Sequence, residues 1–322
     1  MSPSRRGFTL VEMLVVIGII GVLAALLLPA VMMAVNAARR ASIGVEIAEL
    51  NKAIESYREK HGDYPPSFRD YSAFMRHVRQ CYPQIDPNHL NETIKSVWGA
   101  AYNSSTAQPI PAAGVSHFVP NIDEGEALVF WLYLVDNDKR LPFKALITGC
   151  GRDPVLGAAA TLTDVLSAAK SPERLYPFKE QFLIDGAEAT DDVMPAYKAN
   201  YCGESAYLYM DSRSYDELTE DYPTLLRAAY SEDLPGGGYA RPYWSENRTS
   251  SAALTPPDLR DDYKPMNQTT FQIITTVQDG LFGADATPVS LRYFPGGGGY
   301  VAEDNDNMTN FSESRRLEDH LP

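Results

Sequence analysis

The chain has 322 residues, 44% of them hydrophobic, a globular composition with length for one large domain or two modest ones. Its 42 Asp and Glu against 28 Lys and Arg give a net charge of −14. That excludes nucleic acid as an expected partner, because phosphate binding draws on Lys and Arg. Three scattered cysteines, Cys81, Cys150 and Cys202, predict neither a disulfide framework nor a zinc site.

A polar leader, Met1 to Gly7, carries Arg5 and Arg6, and from Phe8 to Val35 only Thr9 and Glu12 interrupt an apolar run. Met13 to Val35 is 23 residues, roughly 35 Å as a helix, enough to cross a hydrocarbon core of about 30 Å. A soluble core helix is seldom apolar on every face for that length, so the run predicts a membrane segment. Arg5 and Arg6 ahead of it predict a cytoplasmic N-terminus with the rest of the chain outside.

Glu12 is the residue a plain anchor would not contain, since a carboxylate at the centre of a bilayer costs about 2.5–3.5 kcal/mol on insertion scales. Either it lies shallow enough to snorkel or it pairs with a positive group. A cut after Gly7 would make Phe8 the new amino terminus, four residues before Glu12. An α-amino group is positive at neutral pH, so Glu12 of one subunit could neutralise the terminus of its neighbour as two helices pack side by side.

The run Arg5-Arg6-Gly7-Phe8-Thr9-Leu10-Val11-Glu12 resembles the prepilin cleavage and methylation signature of type IV pilins and type II secretion pseudopilins. The resemblance implies that a prepilin peptidase cuts between Gly7 and Phe8 and methylates Phe8, and that Glu12 guides subunit docking. Gly21 and Pro29 fall where this family often carries a glycine and a helix-kinking proline. Two rivals, a twin-arginine signal over Ser4 to Leu10 and an ordinary secretory signal, fit less well. The apolar run exceeds the roughly 7–15 residues of a signal peptide and holds Glu12. Pro29 would cost about 3 kcal/mol in a soluble helix; here it predicts a kink or local melting. Gly18 and Gly21 offer a small-residue face to another helix.

Beyond Val35, Ile43, Ile47, Leu50, Ile54 and Tyr57 form one apolar helical seam, with Glu46, Glu49, Lys52, Glu55, Arg58 and Glu59 on the remaining faces. Gly62 and then Pro65-Pro66 end the helix. One helix therefore runs from Phe8 to about Lys60. The stretch Tyr57 to Pro65 is similar to the helix-to-head junction of the major, or G-type, pseudopilins.

In the head, Phe68, Tyr71, Met75, Val78 and Tyr82 repeat at helical spacing with Ser67 as the expected N-cap. Leu128, Trp131, Leu132 and Val135 predict a second helix, and Leu162, Val165, Leu166 and Ala169 a third. Ala206–Met210 and Phe271–Val277 read as strands. Long loops are expected around 234–265 and 295–322. The fold class is α+β: a long N-terminal transmembrane helix packed on an antiparallel-sheet head. The divisions are 1–7 leader, 8–35 membrane or filament-core helix, 36–60 helix on the head, and 61–322 head.

Toward the C-terminus, Gln278-Asp279-Gly280 follows a strand and Glu303-Asp304-Asn305-Asp306-Asn307 follows a glycine run. Calcium takes six to eight oxygens, but neither stretch matches an EF-hand loop, and a solvated acidic tail is the plain alternative. Phe271 to Gly283 resembles the strand and Asp-Gly loop before the calcium site of G-type pseudopilins. The resemblance implies Asp279, Asp304 and Asp306 as Ca2+ ligands, with Asp285 the weaker candidate. Ser205–Tyr215 and Asp304–Phe311 also resemble large pseudopilin-like proteins of the planctomycete type. The Gly-rich stretches at 236–238 and 296–299 lack the Gly-Lys-Ser/Thr of a phosphate loop, the five histidines lack ligand spacing, and no Gly-x-Ser-x-Gly elbow occurs. Nothing selects a catalytic carboxylate pair among 42 acids, so no enzyme is expected. In an oxidising compartment two of the three cysteines could pair.

The resemblance implies a structural pseudopilin of a type II secretion system. It would be a single-pass inner-membrane protein with a periplasmic head, processed by prepilin peptidase. It would assemble with other pseudopilins on the inner-membrane secretion platform into a periplasmic filament that drives export. Glu12 favours a shaft subunit, because the tip-forming K type typically lacks this acid. A type IV pilin or pilin-like surface fibre, and a membrane-tethered enzyme or binding head, remain as alternatives.

Overall fold

The computed structural model describes residues 9–68, 70–98, 102–103, 108–109, 120, 122–150, 161–169, 174–185, 193–200, 205–215, 240, 242–245, 264–277, 280, 282, 292–294, 305–312 and 316–320. Helix α1 spans Leu10–His61, 52 residues, about 78 Å at 1.5 Å per residue. Thr9 caps its start. Gly62 closes its end in the left-handed region, φ +80°, where its N–H donates to the Arg58 carbonyl at 2.7 Å. Arg58 and Lys60 in the last turn oppose the partial negative charge there.

The helix continues through Pro29, so of the kink or local melting expected there the melting does not occur in the single chain. The proline ring removes one hydrogen bond, to Ala25, and the flanking turns hold on either side. No residue from 10 to 42 is buried; from Ile43 the seam Ile43, Ile47, Leu50, Ile54 and Tyr57 is fully buried. The helix thus changes partners along its length, bare for its first 33 residues and packed thereafter.

Against that seam lies a helical layer. Helix α2 spans Tyr71–Cys81 and is capped by Asp70, whose Oδ1 accepts from the Ser72 and Ala73 amides at 2.7 and 3.0 Å. Ser67 is therefore not the cap: Phe68 sits in the turn before the helix, buried by its ring rather than by helical register. Helix α3, Pro87–Trp98, begins with proline at its first position behind Asp86, which accepts from Asn88. Helix α4, Glu124–Val129, starts on an Asp123/Glu126 capping box and runs into a π turn, Phe130–Leu134, whose five side chains are all buried. Helices α5, Lys144–Gly149, and α6, Leu162–Ala168, complete the layer. Phe68, Phe74, Trp98, Phe130, Trp131 and Phe143 form its aromatic centre. The Trp131 indole donates to the Pro66 carbonyl at 2.9 Å, tying this layer to the segment that leaves α1.

The strands are short. β1 (Tyr102–Asn103) pairs with β2 (Gln108–Pro109), and β3 (Leu183–Asp185) with β4 (Pro195–Tyr197), both antiparallel. The main sheet comprises β5 (Leu208–Asp211), β8 (Phe271–Thr275) and β10 (Met308–Thr309) in the order β10-β8-β5, also antiparallel. A further sheet holds β7 (Lys264–Pro265), β6 (Tyr243–Ser245) and β9 (Arg292–Phe294). Its β6–β9 pair is parallel, a departure from the all-antiparallel expectation; between those strands the chain passes through β7 and then β8 of the main sheet. β6 also lies inside the stretch 234–265 read as loop, and β10 inside 295–322.

The main sheet is buried on both faces, so the period-two alternation of its strands sends successive side chains into two different cores. Tyr209, Phe271 and Ile273 join the core that contains the α1 seam, whereas Leu208, Met210 and Ile274 join a second core with Tyr243 and Leu317.

Candidate assembly helix and its joint with the head

Gly7 and Phe8, the expected cleavage pair, lie outside the described residues. Glu12 lies on the exposed first turn of α1, where its Oε2 accepts from the Thr9 amide and the Thr9 hydroxyl, both at 2.8 Å. The Glu12 amide donates back to Thr9 Oγ1 at 3.2 Å, completing a capping box. Sequence reasoning weighed snorkelling and inter-subunit pairing and missed this third arrangement, although Thr9-x-x-Glu12 is its signature. A β-carbon placed on Gly18 or Gly21 would meet nothing within 4 Å. Nothing among the described residues therefore demands glycine there, and that face is open to a second helix. Leu10 through Val35 expose one large apolar side chain after another, and this part of α1 is long and apolar enough to cross a membrane.

Where α1 meets the head, polar contacts lock its register. Glu46 is 8% exposed, and its two carboxylate oxygens accept from the hydroxyls of Tyr197 and Tyr207, each at 2.7 Å. Burial, and then the Glu46 carboxylate, raise the Tyr197 phenol, keeping it a donor. The sequence reading set Glu46 on an outer face, but three residues past Ile43 and four before Leu50 it falls on the seam itself. Farther along, the Tyr57 hydroxyl and His77 Nε2 lie 2.7 Å apart. Burial, with Arg213 and His61 nearby, pushes the His77 imidazole down to about 3, so it is neutral at pH 7.

Arg213 fastens the end of the helix. It donates to Asp63 and to Asp211, both at 2.6 Å, and to the Tyr64 carbonyl at 2.8 Å. Burial pushes the Asp211 carboxyl up to about 6, against the pull of Arg213. Asn51 of α1 accepts from Asn310 beside β10 at 3.2 Å. Both ends of the packed segment are therefore held by side chains distant in sequence.

Of the expected calcium ligands, Asp279, Asp285 and Asp304 lie outside the described residues. Asp306 is buried just ahead of β10. Among the described residues no group of three or more His, Cys, Asp or Glu is arranged to hold a metal. Cys81 is a free thiol, which corrects any pairing that includes it; Cys202 lies outside the described residues.

The prokaryotic N-terminal methylation motif matches residues 2–28. The chain is 31% identical over 104 residues to the type II secretion system core protein G of Klebsiella michiganensis, covering 72% of that protein and 31% of this chain. It is 30% identical over 107 residues to the protein of the same name from Dickeya chrysanthemi, covering 69% of that protein and 32% of this chain. No solved structure matches the chain.

Proposed function

The chain belongs to the family of type II secretion system core protein G, the G-type pseudopilins, and from that premise we propose how its parts serve assembly. The bare, apolar stretch of α1 from Leu10 to Val35 carries the reading: a surface of that kind needs either lipid or other helices around it, and a pseudopilin uses each in turn. Before assembly the segment holds the precursor in the inner membrane with its N-terminus cytoplasmic and its head periplasmic. Prepilin peptidase cuts between Gly7 and Phe8 and methylates Phe8. The helix then leaves the bilayer for the filament, on the inner-membrane platform, alongside other pseudopilins.

The Thr9 cap gives Glu12 a holding position. It satisfies the carboxylate within the chain until the new Phe8 ammonium of a neighbour supplies a full charge, which attracts it more strongly than neutral donors. Gly18 and Gly21 permit the close approach, and Pro29 supplies a freed carbonyl at a point where the helix can bend. The head acts as a structural body rather than as an enzyme. Its size, with the matched relatives accounting for about a third of the chain, makes it a larger load on the shaft than theirs. The N-terminal peptide of the protein tests this directly by mass spectrometry. N-methylated Phe8 as the first residue in the parent, and an intact leader in cells lacking prepilin peptidase, are expected. An unprocessed leader in both would refute it.

We further propose that the acidic loops beyond β8 and before β10 bind Ca2+. Thr275 of β8 is paired with Met308 of β10; Asp279 follows the first by four residues and Asp304 precedes the second by four, with Asp306 between. Calcium there would join two segments that the sheet already brings together.

A further inference from the structure

Glu46 stands on the apolar seam of α1, between Ile43 and Leu50, and is 8% exposed. Well-packed apolar groups in place of a buried carboxylate and its partners are often as stable, so stability alone does not account for it. What the carboxylate adds is geometry. Apolar contact is non-directional and lets two surfaces shift on each other, whereas a hydrogen bond fixes distance and angle.

Its two donors come from a stiff support. Tyr197 ends β4 and Tyr207 directly precedes β5, with the Tyr207 amide donating to the Tyr197 carbonyl at 2.9 Å. The two rings are stacked, centroids 5.9 Å apart and 19° from parallel, and Phe178 packs edge-on to Tyr197 at 4.8 Å. Both tyrosines are fully buried. One hydrogen bond would leave the helix a pivot. Two, from separate rings to the two oxygens of one carboxylate, take that rotation away. Asn51 and Tyr57 also tie α1 to the head, and of these three ties Glu46 lies nearest the bare span, three residues past Ile43. Leverage makes that place matter. Leu10 is 36 residues from Glu46. At 1.5 Å per residue that is about 54 Å, so a splay of about 10° at Glu46 would carry the end of the span about 9 Å.

We propose that Glu46 is a positioning residue: gripped by Tyr197 and Tyr207, it aims the bare span of α1 relative to the head. On the assembly reading above, on which this consequence rests, every head in a filament then takes the same angle. Spin labels carried on non-natural residues at the exposed positions Ala34 and Arg76 test it, by pulsed distance measurement on the full chain in lipid nanodiscs. Ala34 lies on the head side of Pro29, so a bend at the proline does not enter. The parent should give one narrow distance distribution. The triple variant Glu46→Leu, Tyr197→Phe, Tyr207→Phe should melt within about 4 °C of the parent. Its distribution should nevertheless spread by about 3 Å, the travel of a roughly 10° splay over the roughly 18 Å from Glu46 to Ala34. Glu46→Gln, with an oxygen to accept from one hydroxyl and an N–H to donate to the other, should keep the parent's width. A triple variant as narrow as the parent, or Glu46→Gln as broad as the triple variant, would overturn the proposal. Cross-linking between neighbouring subunits reads the consequence: several-fold fewer cross-links in the triple variant at equal membrane insertion are expected, and parental cross-linking would overturn the role in assembly. A parent that forms no cross-links would count against the assembly reading, while the distance distributions still decide whether Glu46 aims the span.

Discussion

Replacing Glu46 by alanine probes the joint between helix and head at its most costly point. Two hydrogen bonds of 2.7 Å end on the carboxylate, and bonds to a charged group contribute about 1.5–3 kcal/mol each. Their loss, about 3–6 kcal/mol, is partly offset because the carboxylate no longer has to be desolvated. A net cost of about 2–4 kcal/mol remains, because two buried hydroxyls lose the charged acceptor they share. At about 2–4 °C per kcal/mol for a domain of this size, the melting temperature should fall by roughly 5–15 °C. The assay is near-ultraviolet circular dichroism of the full chain in micelles, which follows the aromatic cores of the head. The triple variant Glu46→Leu, Tyr197→Phe, Tyr207→Phe removes charge and donors together and should recover to within about 1 kcal/mol of the parent. The reasoning is refuted if Glu46→Ala melts within about 1 °C of the parent, or if the triple variant is as unstable as the single one.

His77 makes stability depend on pH. Its folded pKa lies below the unfolded value of about 6.5, so its contribution is fully present above pH 6.5 and is lost as pH falls toward 3. Between pH 6.5 and 4 the loss is about 3 kcal/mol, and His77→Gln should flatten that slope. Asp211, raised to about 6, acts in the opposite direction in both proteins and cancels in the comparison; parallel pH curves would remove His77 as the cause. Glu12→Val should leave membrane insertion intact and abolish assembly, read by cross-linking between neighbouring subunits in the periplasm, and normal filaments would sink the pairing argument. Gly21→Leu, at a position where a β-carbon meets nothing within 4 Å among the described residues, should insert and melt as the parent does yet assemble poorly; wild-type assembly would mean that no helix approaches that face. Chelation should lower the melting temperature of the head, and a melt indifferent to calcium would remove the proposed Asp279, Asp304 and Asp306 site.

The long helix was legible because both its halves are written in local pattern: an unbroken apolar run, then a seam at spacings of four and three, then Gly62. Capping was legible only in part. Ser67 looked suitable, but the helix begins only at Tyr71, and there it is Asp70 that accepts two amides. Helix α3 was missed although Asp86-Pro87 is a start signal, because His89, Thr93 and Ser96 are buried on it and blur its apolar face. Glu46 escaped because charge was read as exposure, while its two partners, Tyr197 and Tyr207, lie about 150 residues away in sequence. The parallel β6–β9 pair escaped for a related reason: pairing across so long a connection leaves no local mark.

Quantitative proteomics of the secreted fraction and of sheared surface filaments, comparing a deletion of this gene with its parent, tests the central claim most directly. A defined set of proteins lost from the medium, with surface fibres intact, is the result expected of a secretion pseudopilin. An unchanged secretome with missing fibres would contradict that account and make the chain a surface pilin instead.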